Sequence, residues 1–149
     1  MAEPVTIAKQ RLKTWLRLLG VARAAENHLR EFLRVQHDTT LPRFDVMAAL
    51  YRKRDGVTMS ALSRMLLVSN GNATAVVDRL ERHGLVRRTG SKTDRRTIFV
   101  ALTAQGLRQF EVLASGHERE VDKLFGGLNA AELDNLSALL KRSTTGDKA

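Results

Sequence analysis

From Thr6 to Gln36 the apolar positions Ile7, Leu12, Trp15, Leu19, Ala22, Ala25, Leu29, Phe32 and Leu33 recur at helical spacing, with no proline between them. That pattern predicts one long helix. Gly20 interrupts the stripe without ending it. His37-Asp38-Thr39-Thr40 reads as a loop. Pro42 then opens a second helix, continued by Phe44, Met47, Ala48 and Tyr51, because a first turn does not need the N–H that proline lacks. Arg52 to Gly56 ends it. Leu62, Met65 and Leu66 give a short third helix its buried side. Val68-Ser69-Asn70-Gly71 breaks the pattern again. Ser69 can cap the next helix by accepting from its free N–H groups, and Val68 with Ala73 can staple it. Ala73, Val76, Val77 and Leu80 then form one stripe, and Gly84 stops it, which predicts a helix over Ser69 to His83.

The period now changes. Leu85 to Thr89 and Thr97 to Leu102 read as paired strands, and Gly90 to Arg96 between them is too long and too charged for a tight turn. After Thr103 a second long helix runs to about Phe125, with Leu107, Phe110, Ala114, His117, Val121 and Leu124 forming a seam able to pack on another helix. Gly126-Gly127 breaks it. Asn129 with Glu132 resembles a capping box for a last helix striped by Leu133, Leu136, Leu139 and Leu140. The tail from Ser143 to Ala149 is polar and expected to fray. The fold class is therefore mostly α with a small β-hairpin: six helices, a helix-turn-helix and a wing. The length of 149 residues fits a single domain.

Composition sharpens this picture in two ways. The formal net charge is +9, which points to a polyanionic partner. By segment it is +3 over residues 1–45, +2 over 46–56, +5 over 57–103 and −1 over 104–149, so the excess peaks on the helix-turn-helix and hairpin. A membrane surface also attracts basic charge, but there is no signal peptide, no long apolar run and little aromatic content. The expectation is a cytoplasmic protein with no membrane partner. There are no cysteines, which excludes disulfides, thiolate metal ligands and a thiol nucleophile.

The face of the 69–83 helix opposite its apolar stripe carries Gly71, Thr74, Asp78 and Arg82, with Asn70 and Asn72 near its start. Asparagine suits adenine, because its amide can donate and accept at N6 and N7 together, and Gly71 would let the backbone approach closely. In the hairpin loop, Lys92, Arg95 and Arg96 stand at the tip. An arginine held there fits a narrow, electronegative minor groove, and Asp94 could orient the Arg96 guanidinium by a bidentate contact. The plainer readings are an amphipathic helix with a solvated outer face and a solvated basic hairpin.

Asp78-Arg79-Leu80-Glu81, Gly84-Leu85-Val86, Arg88, Asp94-Arg95-Arg96, Leu102-Thr103 and Gly106 together resemble the signature of the MarR family of bacterial transcription regulators. The resemblance extends more weakly over nearly the whole chain. It implies a winged helix-turn-helix lobe over 41–103 and dimerisation helices over 1–40 and 104–149 of one domain, 1–149. It also implies a homodimer on a palindromic double-stranded DNA operator, with a recognition helix at Ser69 to His83 and Arg96 as the wing arginine, Arg95 lying nearer the phosphates. The candidate DNA-binding residues are Ser69, Asn70, Gly71, Asn72, Thr74, Asp78, Arg79, Arg88, Lys92, Asp94, Arg95 and Arg96.

The family further implies repression relieved by a small aromatic acid or phenolic, bound between the dimerisation helices and the DNA-binding lobe. Candidate ligand residues are Trp15, Arg23, Asn27, His28, Arg43, Phe44 and Met47, where the first two helices should meet. The arginine-rich first helix extends the expectation to an acyl-CoA thioester, with Arg11, Arg17, Arg23 or Arg43 on its phosphates. No cofactor is expected. A zinc site from His28, His37 and His117 would need tertiary proximity, and no metal is expected either. Enzyme chemistry has no lead: there is no phosphate-cradling glycine loop, no H-E-x-x-H and no Gly-x-Ser-x-Gly. The competing readings are a winged helix used for protein contacts and a DNA-binding protein without an effector.

Overall fold

The computed structural model describes residues 4–143. Helix α1 spans Ile7–His37, opened by Thr6, whose hydroxyl accepts from the Lys9 N–H at 3.3 Å. It runs one residue further than the sequence predicts, and the chain leaves it through Asp38 at φ 48°. Helix α2 (Leu41–Arg52) starts with Thr40 capping the Arg43 N–H, and Pro42 sits in its first turn. A two-residue strand β1 (Val57–Thr58) follows, and Thr58 also caps α3 (Met59–Leu66). Helix α4 (Asn70–Arg82) is capped by Ser69, which accepts from the Asn72 N–H at 3.2 Å. Strands β2 (Val86–Gly90) and β3 (Ile98–Leu102) form the hairpin. Helix α5 (Ala104–Leu124) and helix α6 (Ala130–Ser143) complete the order. The Asn129–Glu132 capping box is present, each side chain accepting from the other's backbone N–H, at 2.9 and 3.1 Å. The tail beyond Ser143 lies outside the described residues.

The sheet has the order β1-β3-β2, all antiparallel, with Val57 opposite Val100 and Arg88 opposite Val100 on the other side. Sequence reading expects only the hairpin. Two residues carry no alternation pattern, so β1 exists through its pairing with β3 and not through any local signal.

One core joins the elements. Leu33 of α1, Met47 and Leu50 of α2, Leu62 of α3, Val77 and Leu80 of α4, Val86 and Val100 of the sheet, and Phe110 and Leu113 of α5 are all buried. The stripe that predicts α4 is the one that packs. Elsewhere the stripes divide. Met65 of α3 is exposed, since Leu62, with Leu66 partly buried, suffices for so short a helix. On α1 only Leu29 and Leu33 are buried, while Ile7, Leu12, Trp15, Leu16 and Val21 are at least half exposed. No residue of helix α6 is fully buried within the chain; Leu136 is half-buried, and Leu133, Leu139 and Leu140 are exposed. On α5, Gly106 and Gly116 are buried alongside Phe110 and Leu113. A Cβ at Gly116 would meet the Phe32 ring at 2.7 Å, so the glycine sets how closely α1 lies on α5.

Helix α5 is also tied to the end of α4. Gly84 turns at φ +73°, a conformation that costs a side-chain-bearing residue but not glycine. Thr103 donates its hydroxyl to the Gly84 carbonyl at 2.6 Å, donates its N–H to the Leu85 carbonyl at 3.0 Å, and accepts from the Gly106 N–H at 3.0 Å. The Leu-Thr-x-x-Gly segment is therefore the joint between the hairpin side of the molecule and its C-terminal helices.

Candidate nucleic-acid interface

Helix α4 buries Ala73, Val77 and Leu80 and presents the opposite side to solvent. Ser69, Asn70, Gly71, Asn72, Thr74 and Arg79 are all exposed. A Cβ at Gly71 would meet open space, so no neighbour in the chain requires glycine there. Thr74 donates its hydroxyl to the Asn70 carbonyl at 2.7 Å, which steadies the first turn. The exposed N-terminal turn thus offers amide groups, hydroxyls and little apolar surface, the composition suited to base edges and phosphates.

Two of the sequence candidates are placed differently. Arg88, on β2, turns back onto α4: Nη2 donates to Asp78 Oδ1 at 2.5 Å and Nη1 to Glu81 Oε1 at 3.0 Å. Its backbone N–H also donates to Glu81 Oε2 at 3.0 Å. Asp78 and Arg88 therefore neutralise each other and clamp the wing strand to α4, with Glu81, absent from the sequence candidates, as the second partner. The signal was in the chain, since Asp78 and Glu81 lie three apart on one helical face.

The wing tip is built around Asp94. Sequence reading gives its carboxylate to the Arg96 guanidinium. In the structure Oδ1 accepts from the Arg96 backbone N–H at 2.9 Å and Oδ2 from the Thr97 hydroxyl at 2.9 Å. A carboxylate two residues before a turn satisfies local backbone donors more readily than a long side chain, so Asp94 shapes the loop instead of holding the arginine. These bonds, the Arg96 N–H first among them, hold the Asp94 carboxyl below the usual aspartate range. Being depressed, it lends the loop order that is fully present above the ordinary aspartate pKa and lost as pH falls through the lowered value. Ser91 completes the tip, accepting from the Thr93 and Asp94 N–H groups at 3.2 and 3.3 Å. Lys92, Arg95 and Arg96 are exposed around this closed loop.

The ligand candidates do not gather in one place. Trp15, Arg23 and Asn27 lie on the exposed part of α1, and Asn27 Oδ1 accepts from Arg30 at 3.0 Å. His28 pairs with Glu120 at 2.7 Å, a bond that lowers the Glu120 pKa. Phe44 and Met47 are core residues. His117 stacks on Phe44 with ring centroids 4.3 Å apart, and burial lowers its pKa. His37 packs edge-on to Phe32 at 5.2 Å. Arg43 lies in the first turn of α2 beside Arg30 and Arg34, away from Arg11, Arg17 and Arg23 along α1. Helical spacing orders residues along one element but says nothing about where a second element crosses it. Among the described residues no three histidine or carboxylate groups come together as metal ligands, and no helix is long and apolar enough to cross a membrane.

Comparison with known proteins agrees with this geometry. A sequence model of the MarR family matches residues 37–97. The HTH-type transcriptional regulator MhqR of Bacillus subtilis (strain 168) is 28% identical over 136 residues, covering 91% of this chain and 92% of that protein. The uncharacterized HTH-type transcriptional regulator YkoM of the same organism is 33% identical over 108 residues, 72% of this chain and 70% of its own. The crystal structure of a MarR cysteine-to-serine mutant from Escherichia coli complexed with operator DNA superposes with a TM-score of 0.80 at 25% identity, covering 93% of this chain and 98% of that one. The two sequence relatives carry the description of HTH-type transcriptional regulators. With a regulator 33% identical over 72% of this chain and 70% of its own length, the chain belongs to the MarR family of transcriptional regulators.

Proposed function

We propose that this protein binds a palindromic double-stranded DNA operator as a homodimer, with α4 in the major groove and the wing arginines in the minor groove, and represses transcription until a small molecule releases it. The observation that carries this reading is the exposed, hydrogen-bonding first turn of α4 together with a closed wing loop on which Arg95 and Arg96 are exposed. A winged helix built for protein contacts would display aromatic or aliphatic anchors on that face; the exposed residues of α4 itself include none, the nearest being Leu67 and Val68 in the turn before it.

The homodimer accounts for the apolar surface that the single chain leaves uncovered. Ile7, Leu12, Trp15 and Leu16 of α1 and Leu133, Leu139 and Leu140 of α6 are all exposed, a concentration that marks an interaction surface. In this reading 1–40 and 104–149 pair the two copies, and 41–103 is the DNA-binding lobe. Trp15, Arg23 and Asn27 would then gain neighbours only from the second chain.

For the effector, an aromatic acid, a phenolic or an acyl-CoA thioester, a crevice of about 380 Å³ between α2 and α4 is well placed. Pro42, Val46, Leu66 and Val68 give it apolar walls, and Asn72 and Arg79 of the DNA-facing helix line it too. Its size lies within the range of small-molecule sites. An occupant that binds the DNA-free arrangement more tightly would release the operator. Selection of bound sequences from random duplex DNA tests the reading, together with sedimentation of the protein alone at micromolar concentration. The expected results are an inverted-repeat consensus and a species of twice the chain mass. Monomer alone, or recovered duplexes with no shared sequence, would refute it.

A further inference from the structure

A second cleft opens beside Arg79, between the last turns of α1, the first turn of α2 and the edge of α4, with a volume of about 440 Å³. Four arginines line it: Arg30 and Arg34 from α1, Arg43 from α2 and Arg79 from α4. Arg30 and Arg34 are four apart, so they stand on one helical face. Three separate elements thus deliver cations to one place, and among the described residues no acidic side chain lines it. Leu41 and Val76 supply apolar wall.

The charge there is incompletely matched. Arg34 pairs with Glu31 at 2.7 Å, and Arg30 is held by the neutral Asn27 amide oxygen at 3.0 Å. The Nε of Arg43 is buried with no hydrogen-bond partner. The accessible end of the same side chain makes no ion pair among the described residues, so its charge is free to meet an anion in the cleft. The start of α2, whose dipole favours an anion, adds to the attraction.

We propose that this cleft binds a small phosphorylated ligand, an apolar group carrying a phosphate monoester or a longer phosphate chain. The phosphate oxygens accept from Arg43, flanked by Arg30 and Arg34, and the apolar part lies against Leu41 and Val76. A monocarboxylate answers one positive charge and one fork of donors. A phosphate dianion carries three acceptor oxygens and twice the charge, matching several guanidinium forks at once. Arg79 belongs both to the cleft and to the helix assigned to DNA, so filling the cleft opposes duplex binding. That coupling rests on the proposed function, whereas the binding itself does not.

Titration calorimetry on the full chain at fixed ionic strength tests this with phenyl phosphate and benzoate as probes. Phenyl phosphate should bind at least tenfold more tightly than benzoate, and Arg43→Gln should weaken it at least tenfold. The Arg30→Gln/Arg34→Gln double variant changes only exposed side chains. It should weaken phenyl phosphate several-fold with an unchanged melting temperature, and it carries the test if the Arg43 variant misfolds. Equal affinity for the two probes, or a double variant that binds phenyl phosphate like the parent, would overturn the proposal. So would a double variant that loses only duplex binding, since the guanidinium groups would then serve the DNA backbone. Phenyl phosphate binding by a protein that fails to bind any duplex would uphold the site and refute the regulator reading alone.

Discussion

Replacing Arg95 and Arg96 together with alanine should weaken operator binding about a hundredfold at physiological salt and leave the melting temperature unchanged. Both side chains are exposed at the wing tip and neither is held by an ion pair among the described residues. Their removal therefore takes little from the folded chain. In the complex each would make charge-assisted bonds worth roughly 1.5–3 kcal/mol, and two at the lower end come to about 3 kcal/mol, a factor of about a hundred. The salt dependence gives a sharper readout. Each phosphate neutralised contributes about −0.9 to the slope of log K against log salt, so the double variant should lose up to about 1.8. Fluorescence anisotropy across a salt series measures both quantities. An unchanged slope would place the wing off the duplex.

The second large effect is on stability. Gly106→Ala should lower the melting temperature by roughly 15 °C. A Cβ built at Gly106 would overlap the Leu85 carbonyl oxygen and lie 2.8 Å from its carbon, and the obstructing atoms are backbone, which cannot rotate away. The collision forces α5 off the Gly84–Leu85 turn and strains the two bonds that Thr103 makes there. Loss of a close approach of this kind belongs to the severe class of single substitutions, about 4 kcal/mol, and 1 kcal/mol corresponds to about 4 °C for a domain near this size. Scanning calorimetry checks it. A shift under about 3 °C would mean that α5 is not seated on that turn. A variant that still folds should also bind DNA less tightly, because the same joint carries the DNA-binding lobe on the helices assigned to dimerisation.

The parts legible in the sequence are those whose determinants are local. Helix α4 is readable to within a residue because its stripe from Ala73 to Leu80 lies inside it, and its cap, Ser69, and its stop, Gly84, lie within two residues of its ends. The wing was readable from the change of period at Leu85. What stayed hidden is set by distant pairing. Strand β1 has only two residues and owes its existence to Val100 and Phe99, some forty positions later. Arg88 reads as one more basic residue until β2 folds back over Asp78 and Glu81. Asp94 lies within reach of two kinds of donor, and only the closed loop shows that backbone prevails. Gly116 contributes to packing by having no side chain, so no hydrophobic pattern can reveal it, and Gly106 shows in the sequence only through the family resemblance. The stripe on α1 is continuous in sequence, yet only its last part, Leu29 and Leu33, is buried in this chain's core, while Ile7, Leu12 and Trp15 stay more than half exposed.

Hydroxyl-radical footprinting on a selected duplex, with the number of bound chains counted by sedimentation, tests the central claim most directly. Two exposed α4 helices joined by paired terminal helices should protect two segments on one face of the duplex, about one helical turn or 34–36 Å apart, with two chains bound. A single protected segment, one bound chain, or protection no different from that on a random duplex would contradict it.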